Sequence, residues 1–240
     1  MIPLKDDNPT TIQPVLTVTL IAVNCLVFLY QMSLGSQGAQ LFVYQYGAIP
    51  AVVLGSETLP ARVAVISSPL SLFTSMFLHG GLLHIAGNML YLWIFGNNIE
   101  EAMGRARYLI FYVVSGLGAS LTHILSNPTS VIPTIGASGA ISGVLGAYLL
   151  LYPRARVLTL VPLGFFTRLM YIPAGFVLGV WFLMQLLSTT LSGSQGGGGV
   201  AFSAHVGGFI TGMLLVGVFK KREIRFFNPP HYRADRLNDW

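Results

Sequence analysis

The residues of this chain whose types could do chemistry are the hydroxyl of Gly136-Ala137-Ser138-Gly139, the imidazoles His79, His84 and His205, and the carboxamide of Asn88. Ser138 opens an apolar run that continues through Leu149, Leu150 and Leu151 to Pro153. At the start of a helix the first backbone N–H groups lack an intrahelical acceptor and can donate to an anion. A serine placed there could act as a nucleophile with its oxyanion donors built in. His205 could serve as its general base and then as general acid for a leaving amine. His84, Asn88 and the Ser138 N–H could hold the developing negative charge. Each residue also has a plainer role. Small residues let membrane helices pack closely, and isolated His or Asn side chains hydrogen-bond neighbouring helices.

Spacing separates the two readings. Ser138 lies sixteen residues before Arg154, His84 sixteen before Glu100, and His205 fifteen before Lys220. At 1.5 Å per helical residue all three sit roughly 22–24 Å above one charged boundary. Asn88 follows His84 by one turn and shares its helix face. Polar groups at membrane depth are expensive, and independent hydrogen-bonding glue has no reason to share a level. All eight acids (Asp6, Asp7, Glu57, Glu100, Glu101, Glu223, Asp235 and Asp239) fall outside the apolar stretches. The expected arrangement is therefore a Ser138–His205 dyad whose imidazole is positioned by packing. Gly208 and Gly212, one turn apart, would let the last apolar helix approach the Ser138 helix closely.

The elements that must position these groups are set by composition. The chain is 53% hydrophobic and 9% charged, whereas soluble domains carry about 25% charged residues. That balance predicts an all-α polytopic membrane protein. Six apolar stretches stand out, near Val15–Leu34, Leu82–Ile99, Tyr108–Leu125, Ala137–Tyr152, Leu169–Leu187 and Val200–Phe219, each close to a membrane span in length. The first lacks a basic leader and a small-residue cleavage site, and reads as a retained anchor. The expected division is a cytoplasmic segment 1–14, a six-helix bundle 15–220 and a cytoplasmic tail 221–240. The connection Ser33–Ser71 is too apolar for a free linker and is expected to lie partly in the membrane interface. Lys5, Arg105, Arg107, Arg154, Arg156, Arg168 and Lys220-Lys221-Arg222 fall on one side of the six spans, with only Arg62 on the other. The positive-inside rule places both termini in the cytoplasm. The formal charge of +5 thus reflects topology, and no basic patch interleaved with aromatics points to nucleic acid. The single cysteine, Cys25, excludes an internal disulfide.

Taken together, His79-x4-His84-x3-Asn88, Gly136-x-Ser138-Gly139 and His205-x2-Gly208-x3-Gly212, in that order on the second, fourth and sixth stretches, resemble the rhomboid family of intramembrane serine proteases. The resemblance covers about Ser71 to Lys220. It implies a compact six-helix bundle with a membrane-associated loop after the first helix. Ser138 would be the nucleophile, His205 the base, and His84 and Asn88 the lining of the oxyanion hole, with His79 a structural hydrogen-bonding residue. The implied substrates are single-span transmembrane proteins in the lipid bilayer, cut near the outward face without metal or other cofactor. A small residue is favoured before the scissile bond. The implied location is the bacterial cytoplasmic membrane, with the site opening outward. Two positions depart from some family members. Ser142 stands where an aromatic stacks on the histidine, and no Trp occurs between Ser33 and Ser71.

Other classes stay open on the residues alone. A metal site could use His79, His84, His123 and His205, but no Cys or carboxylate lies beside them and no H-E-x-x-H is present. A transporter would predict internal repeats, and none is evident. A non-catalytic relative would bind membrane helices without cutting them. The connector Gly193–Gly199 reads as a slack tether by composition, and as a candidate lid over the site.

Overall fold

A computed structural model describes residues 1–163, 166–191 and 201–228. The chain begins with strand β1 (Ile2–Asp6) and then helix α1 (Val15–Ser33), followed by α2 (Gly35–Tyr46) and the single turn α3 (Pro50–Val53). Helix α4 (Ser68–Thr74) runs into a 3₁₀ turn, Ser75–Phe77, and then α5 (Leu82–Met103) and α6 (Arg105–Ser126). Helix α7 (Ser138–Leu151) precedes the strands β2 (Arg156–Leu163) and β3 (Phe166–Pro173), and the chain closes with α8 (Ala174–Leu191) and α9 (Phe202–Phe219).

The molecule is mostly helical. Helices α1, α6, α8 and α9 are long and apolar enough to cross a membrane, and the bent pair α4–α5, broken by 81°, would make a fifth. Large apolar side chains point outward, Leu83 at 88% exposure and Leu214 at 75% among them, as expected where the surroundings are hydrocarbon. Inside, α7 is encased by its neighbours: every residue from Gly139 to Tyr148 is buried. Glycine makes that possible. A Cβ on Gly208 would collide with the Gly139 carbonyl, and one on Gly212 with the Gly143 carbonyl, so α7 and α9 lie backbone against backbone.

One residue, Gly104, ends α5 and begins α6. Its φ of +80° is a conformation that glycine adopts freely. Helix α5 also runs past Glu100, which corrects the expectation that every acid lies outside the spans. Glu100 is fully buried. Its carboxylate accepts hydrogen bonds from Leu16 N–H (3.0 Å), Thr17 N–H (2.7 Å) and the Thr17 hydroxyl (2.7 Å). It therefore supplies the N-terminal cap that Pro14 cannot give α1.

The sheet is the larger correction to an all-α expectation. β1, β2 and β3 form a three-stranded antiparallel sheet in that order, with β2–β3 a hairpin in register from Arg156↔Pro173 to Leu163↔Phe166. The fifth apolar stretch consequently begins its helix at Ala174, and Arg168 to Pro173 belong to β3. Hydropathy alone does not distinguish an apolar strand from the first turns of a helix. The β-branched residues Val157, Thr159, Val161, Thr167 and Ile172, closed by Pro173, are what favour the strand. Asp6, in β1, is stapled to the bundle by the Tyr148 hydroxyl (2.7 Å), and burial pushes its carboxyl up to about 6. The connection after α1 is helical over α2, α3 and α4. Without a tryptophan, it is tied down by an Ala48–Thr134 bridge and by Thr74 donating to the Tyr46 carbonyl (2.7 Å).

Candidate active site

The α7–α9 seam brings the hydroxyl and the imidazole together. His205 Nε2 lies 2.8 Å from Ser138 Oγ, although the two residues are 67 positions apart in sequence. Ser138 is the first residue of α7, so the N–H groups of its first turn have no helical acceptor. The loop before it places Gly136 at φ +125°. A Cβ there would come within 2.8 Å of His84 Nε2, so both the backbone and the space demand glycine. Gly208 carries the close approach of α9 to α7 and Gly212 continues it one turn on, while a Cβ on Gly139 would collide with Ala119 of α6.

The tautomer of His84 follows from its partner. Gly80 N–H donates to His84 Nδ1 (3.2 Å), which leaves the ring proton on Nε2, the nitrogen that faces Gly136 and the Ser138 end of α7. His84 is thereby a hydrogen-bond donor on the side of Gly136. His79 is fully buried, and its Nε2 lies 2.9 Å from Asn88 Nδ2. The Asn88 amide donates there, which leaves its second hydrogen for another acceptor. Gln31 of α1 fixes His79 in turn, its Nε2 donating to the His79 carbonyl (2.8 Å). A cavity of about 20 Å³, the space of one water or a methyl group, opens beside Ser138 among Ser75, Met76, Ala119, Gly136 and Ala140.

Two features differ from the expectation of a dyad positioned by packing alone. Gln185 of α8 reaches the far side of the imidazole, its Oε1 2.8 Å from His205 Nδ1. Trp181 of the same helix lies over the ring, with centroids 5.9 Å apart and planes tilted by 32°. Ser142 has no part in this, because its hydroxyl donates to the Ser138 carbonyl (2.6 Å). The aromatic face comes from a different helix. Sequence reasoning misses Gln185, although the signal is present: it is an uncompensated amide in an apolar stretch, as costly there as Asn88 is in its own. The histidines do not converge on one point. His123 pairs instead with Ser203 Oγ (2.9 Å), and among the described residues no three of His, Cys, Asp or Glu form a group that could hold a metal ion. The connector 193–199, and with it the lid, lies outside the described residues, as does the tail beyond Asn228.

Helices long and apolar enough to cross a membrane, with large apolar side chains facing outward around a glycine-packed seam, mark an integral membrane protein. The rhomboid domain model matches residues 67–222, and the chain belongs to the rhomboid family. Among its relatives, the mitochondrial Rhomboid protein 1 of Saccharomyces cerevisiae is 31% identical over 153 residues, 62% of this chain and 41% of that protein. RHOMBOID-like protein 1 of Arabidopsis thaliana is 33% identical over 167 residues, 65% of this chain and 36% of the relative. Rhomboid protease GluP of Bacillus subtilis is 32% identical over 155 residues, 63% of this chain and 28% of that protein. The matches thus span less than half the length of these relatives.

Proposed function

We propose that this protein is an intramembrane serine endopeptidase that cuts single-span membrane proteins through Ser138 and His205. The observation that carries the reading is the 2.8 Å contact between Ser138 Oγ and His205 Nε2. In the first step the Ser138 oxygen forms a bond to the scissile carbonyl carbon while its proton passes to His205 Nε2. The negative charge on the former carbonyl oxygen is met by the Ser138 N–H, His84 Nε2–H and the free hydrogen of Asn88 Nδ2. His205 returns the proton to the departing amine as the C–N bond breaks, and water then hydrolyses the acyl-serine by the same route. The pocket of about 20 Å³ beside Ser138 suits a small side chain before the scissile bond.

The six helices α1, α5, α6, α7, α8 and α9 all cross the bilayer in this reading, and segment 1–14 and tail 221–240 lie in the cytoplasm. Lys5, Arg154, Arg156, Arg168 and Lys220-Lys221-Arg222 gather with the β-sheet end, which the positive-inside rule makes the cytoplasmic one. Fourteen residues of α7 span only about 21 Å of a hydrocarbon core about 30 Å thick. Ser138 therefore sits below the outer surface, in a pocket that opens outward. The membrane assigned here is the cytoplasmic membrane of a bacterium. No cofactor enters the chemistry.

The test is labelling of the detergent-solubilised protein with a serine-directed fluorophosphonate, followed by mapping of the modified residue. Modification at Ser138, lost in His205→Ala, is expected. Modification at Ser203, which also hydrogen-bonds a histidine, or no modification while a membrane substrate is still cut, would overturn the assignment.

A further inference from the structure

We propose that Gln185 is a positioning residue that sets the tautomer of His205, so that the hydrolytic unit is a Ser138–His205–Gln185 triad spread over α7, α9 and α8. This rests on the reading of Ser138 and His205 as nucleophile and base. A neutral imidazole has one proton and two nitrogens, and only an unprotonated Nε2 can take the proton of Ser138. The Nε2–H tautomer would present a donor to the serine and could not act as base. The Gln185 carboxamide oxygen, 2.8 Å from Nδ1, is an acceptor and holds the proton on that side. Once Nε2 accepts the serine proton, the same oxygen stabilises the cationic ring.

The other neighbours cannot make that choice. Trp181 lies over the ring and Phe202 meets it edge-on at 6.5 Å, so both restrain the plane of the imidazole without distinguishing its nitrogens. The titratable groups that act on it through space are His84 on α5 and His123 on α6, and neither hydrogen-bonds Nδ1. His123 is engaged with Ser203, and His84 Nδ1 with the Gly80 N–H. Gln185 therefore takes the place that a carboxylate fills in a Ser-His-Asp triad. Being uncharged, it gives the imidazolium less stabilisation, and it does not place an ionised group at membrane depth.

The experiment combines kinetics with a direct view of the proton. In histidine-¹⁵N-labelled wild-type protein in micelles, the neutral His205 ring should show its proton on Nδ1. Gln185→Leu should shift it toward Nε2 and lower kcat by about 10- to 100-fold, the value of one hydrogen bond to a group that becomes charged, with KM nearly unchanged. Gln185→Glu should restore the Nδ1–H form and much of kcat. It should also move the acid limb of kcat/KM to higher pH, because an adjacent carboxylate favours the cationic ring. A side chain that only packed α8 would leave that limb where it is. The assignment is overturned if Gln185→Leu cuts at the wild-type rate with Nδ1 still protonated, or if wild-type His205 carries its proton on Nε2. The second criterion decides the matter even if Gln185→Leu does not fold. A wild-type protein that shows the Nδ1–H ring yet cuts nothing would reject the protease reading and leave the tautomer assignment standing.

Discussion

The same helices carry polar groups at both ends, and the two ends use them differently. Toward the sheet, α5 buries Glu100 and α7 buries Tyr148, and both are tied to the chain itself: Glu100 caps α1, and the Tyr148 hydroxyl holds Asp6 of β1. At the opposite end, α5 offers His84 and Asn88 and α7 offers Ser138: Gly80 N–H engages His84 Nδ1, His79 Nε2 takes one Asn88 hydrogen, and His205 Nε2 meets Ser138 Oγ. The sheet end pairs these groups with other parts of the chain, Glu100 with Leu16 and Thr17 and Tyr148 with Asp6, and so fixes the fold. At the serine end each pairing leaves over a donor or an oxygen, which the proposed chemistry uses. Burial of a polar residue in a membrane bundle does not by itself mark a site: Asn8 Oδ1 and Asn98 Oδ1, at the sheet end, are buried without a partner and take no part in the proposed chemistry.

That contrast can be broken most sharply at the serine end. Ser138→Ala deletes one oxygen and should abolish cleavage of a transmembrane substrate in proteoliposomes without lowering thermal stability. Asn88→Ala should slow cleavage by roughly 10²–10³, the cost of one lost oxyanion donor, and a wild-type rate would remove Asn88 from the mechanism. At the sheet end the pattern should invert. Glu100→Ala strands the Leu16 and Thr17 N–H donors and should cost about 3 kcal/mol of stability in detergent unfolding, while kcat of the surviving folded fraction stays at the wild-type value. A fall in kcat as large as the Asn88 effect would mean that the two ends are not separable.

The smallest effect tests the sheet end alone. Burial raises the Asp6 carboxyl from 3.8 to about 6, so between those values the folded state binds more protons than the unfolded chain. The contribution of Asp6 to stability should therefore be fully present below pH about 4 and fall by about 2 kcal/mol as pH rises through 6. Asp6→Asn should flatten that slope in a series of melting temperatures against pH. A slope unchanged in the variant would assign the dependence to another group.

Much of the site was legible from residue types and intervals. His84, Asn88, Ser138 and His205 stand out because polar side chains in apolar stretches are costly, and the near-equal distances of His84, Ser138 and His205 from the charged boundary set those three at one level, with Asn88 one turn deeper. Gly208 and Gly212 announce a close helix pair for the same local reason. The helical positions of α1, α6, α7 and α9 follow from runs of apolar residues ended by Pro, Gly or charge. The region from Arg156 to Pro173 was not legible, because an apolar segment with Val, Thr and Ile satisfies hydropathy equally as strand or helix, and what decides it is pairing across the β2–β3 hairpin and with β1, about 150 residues away.

By itself, then, the sequence determined that the chain lives in a membrane, which residues are too polar for their surroundings, and which helices can touch backbone to backbone. These are properties of single stretches, governed by hydrophobicity, helical rise and side-chain size. Only the tertiary structure decided which nitrogen of His84 carries the proton, that Gln185 and not packing alone faces His205, and that Glu100 is buried as the cap of α1. A tautomer and a hydrogen-bond partner depend on the direction of individual atoms across helices distant in sequence, and no local pattern encodes that direction.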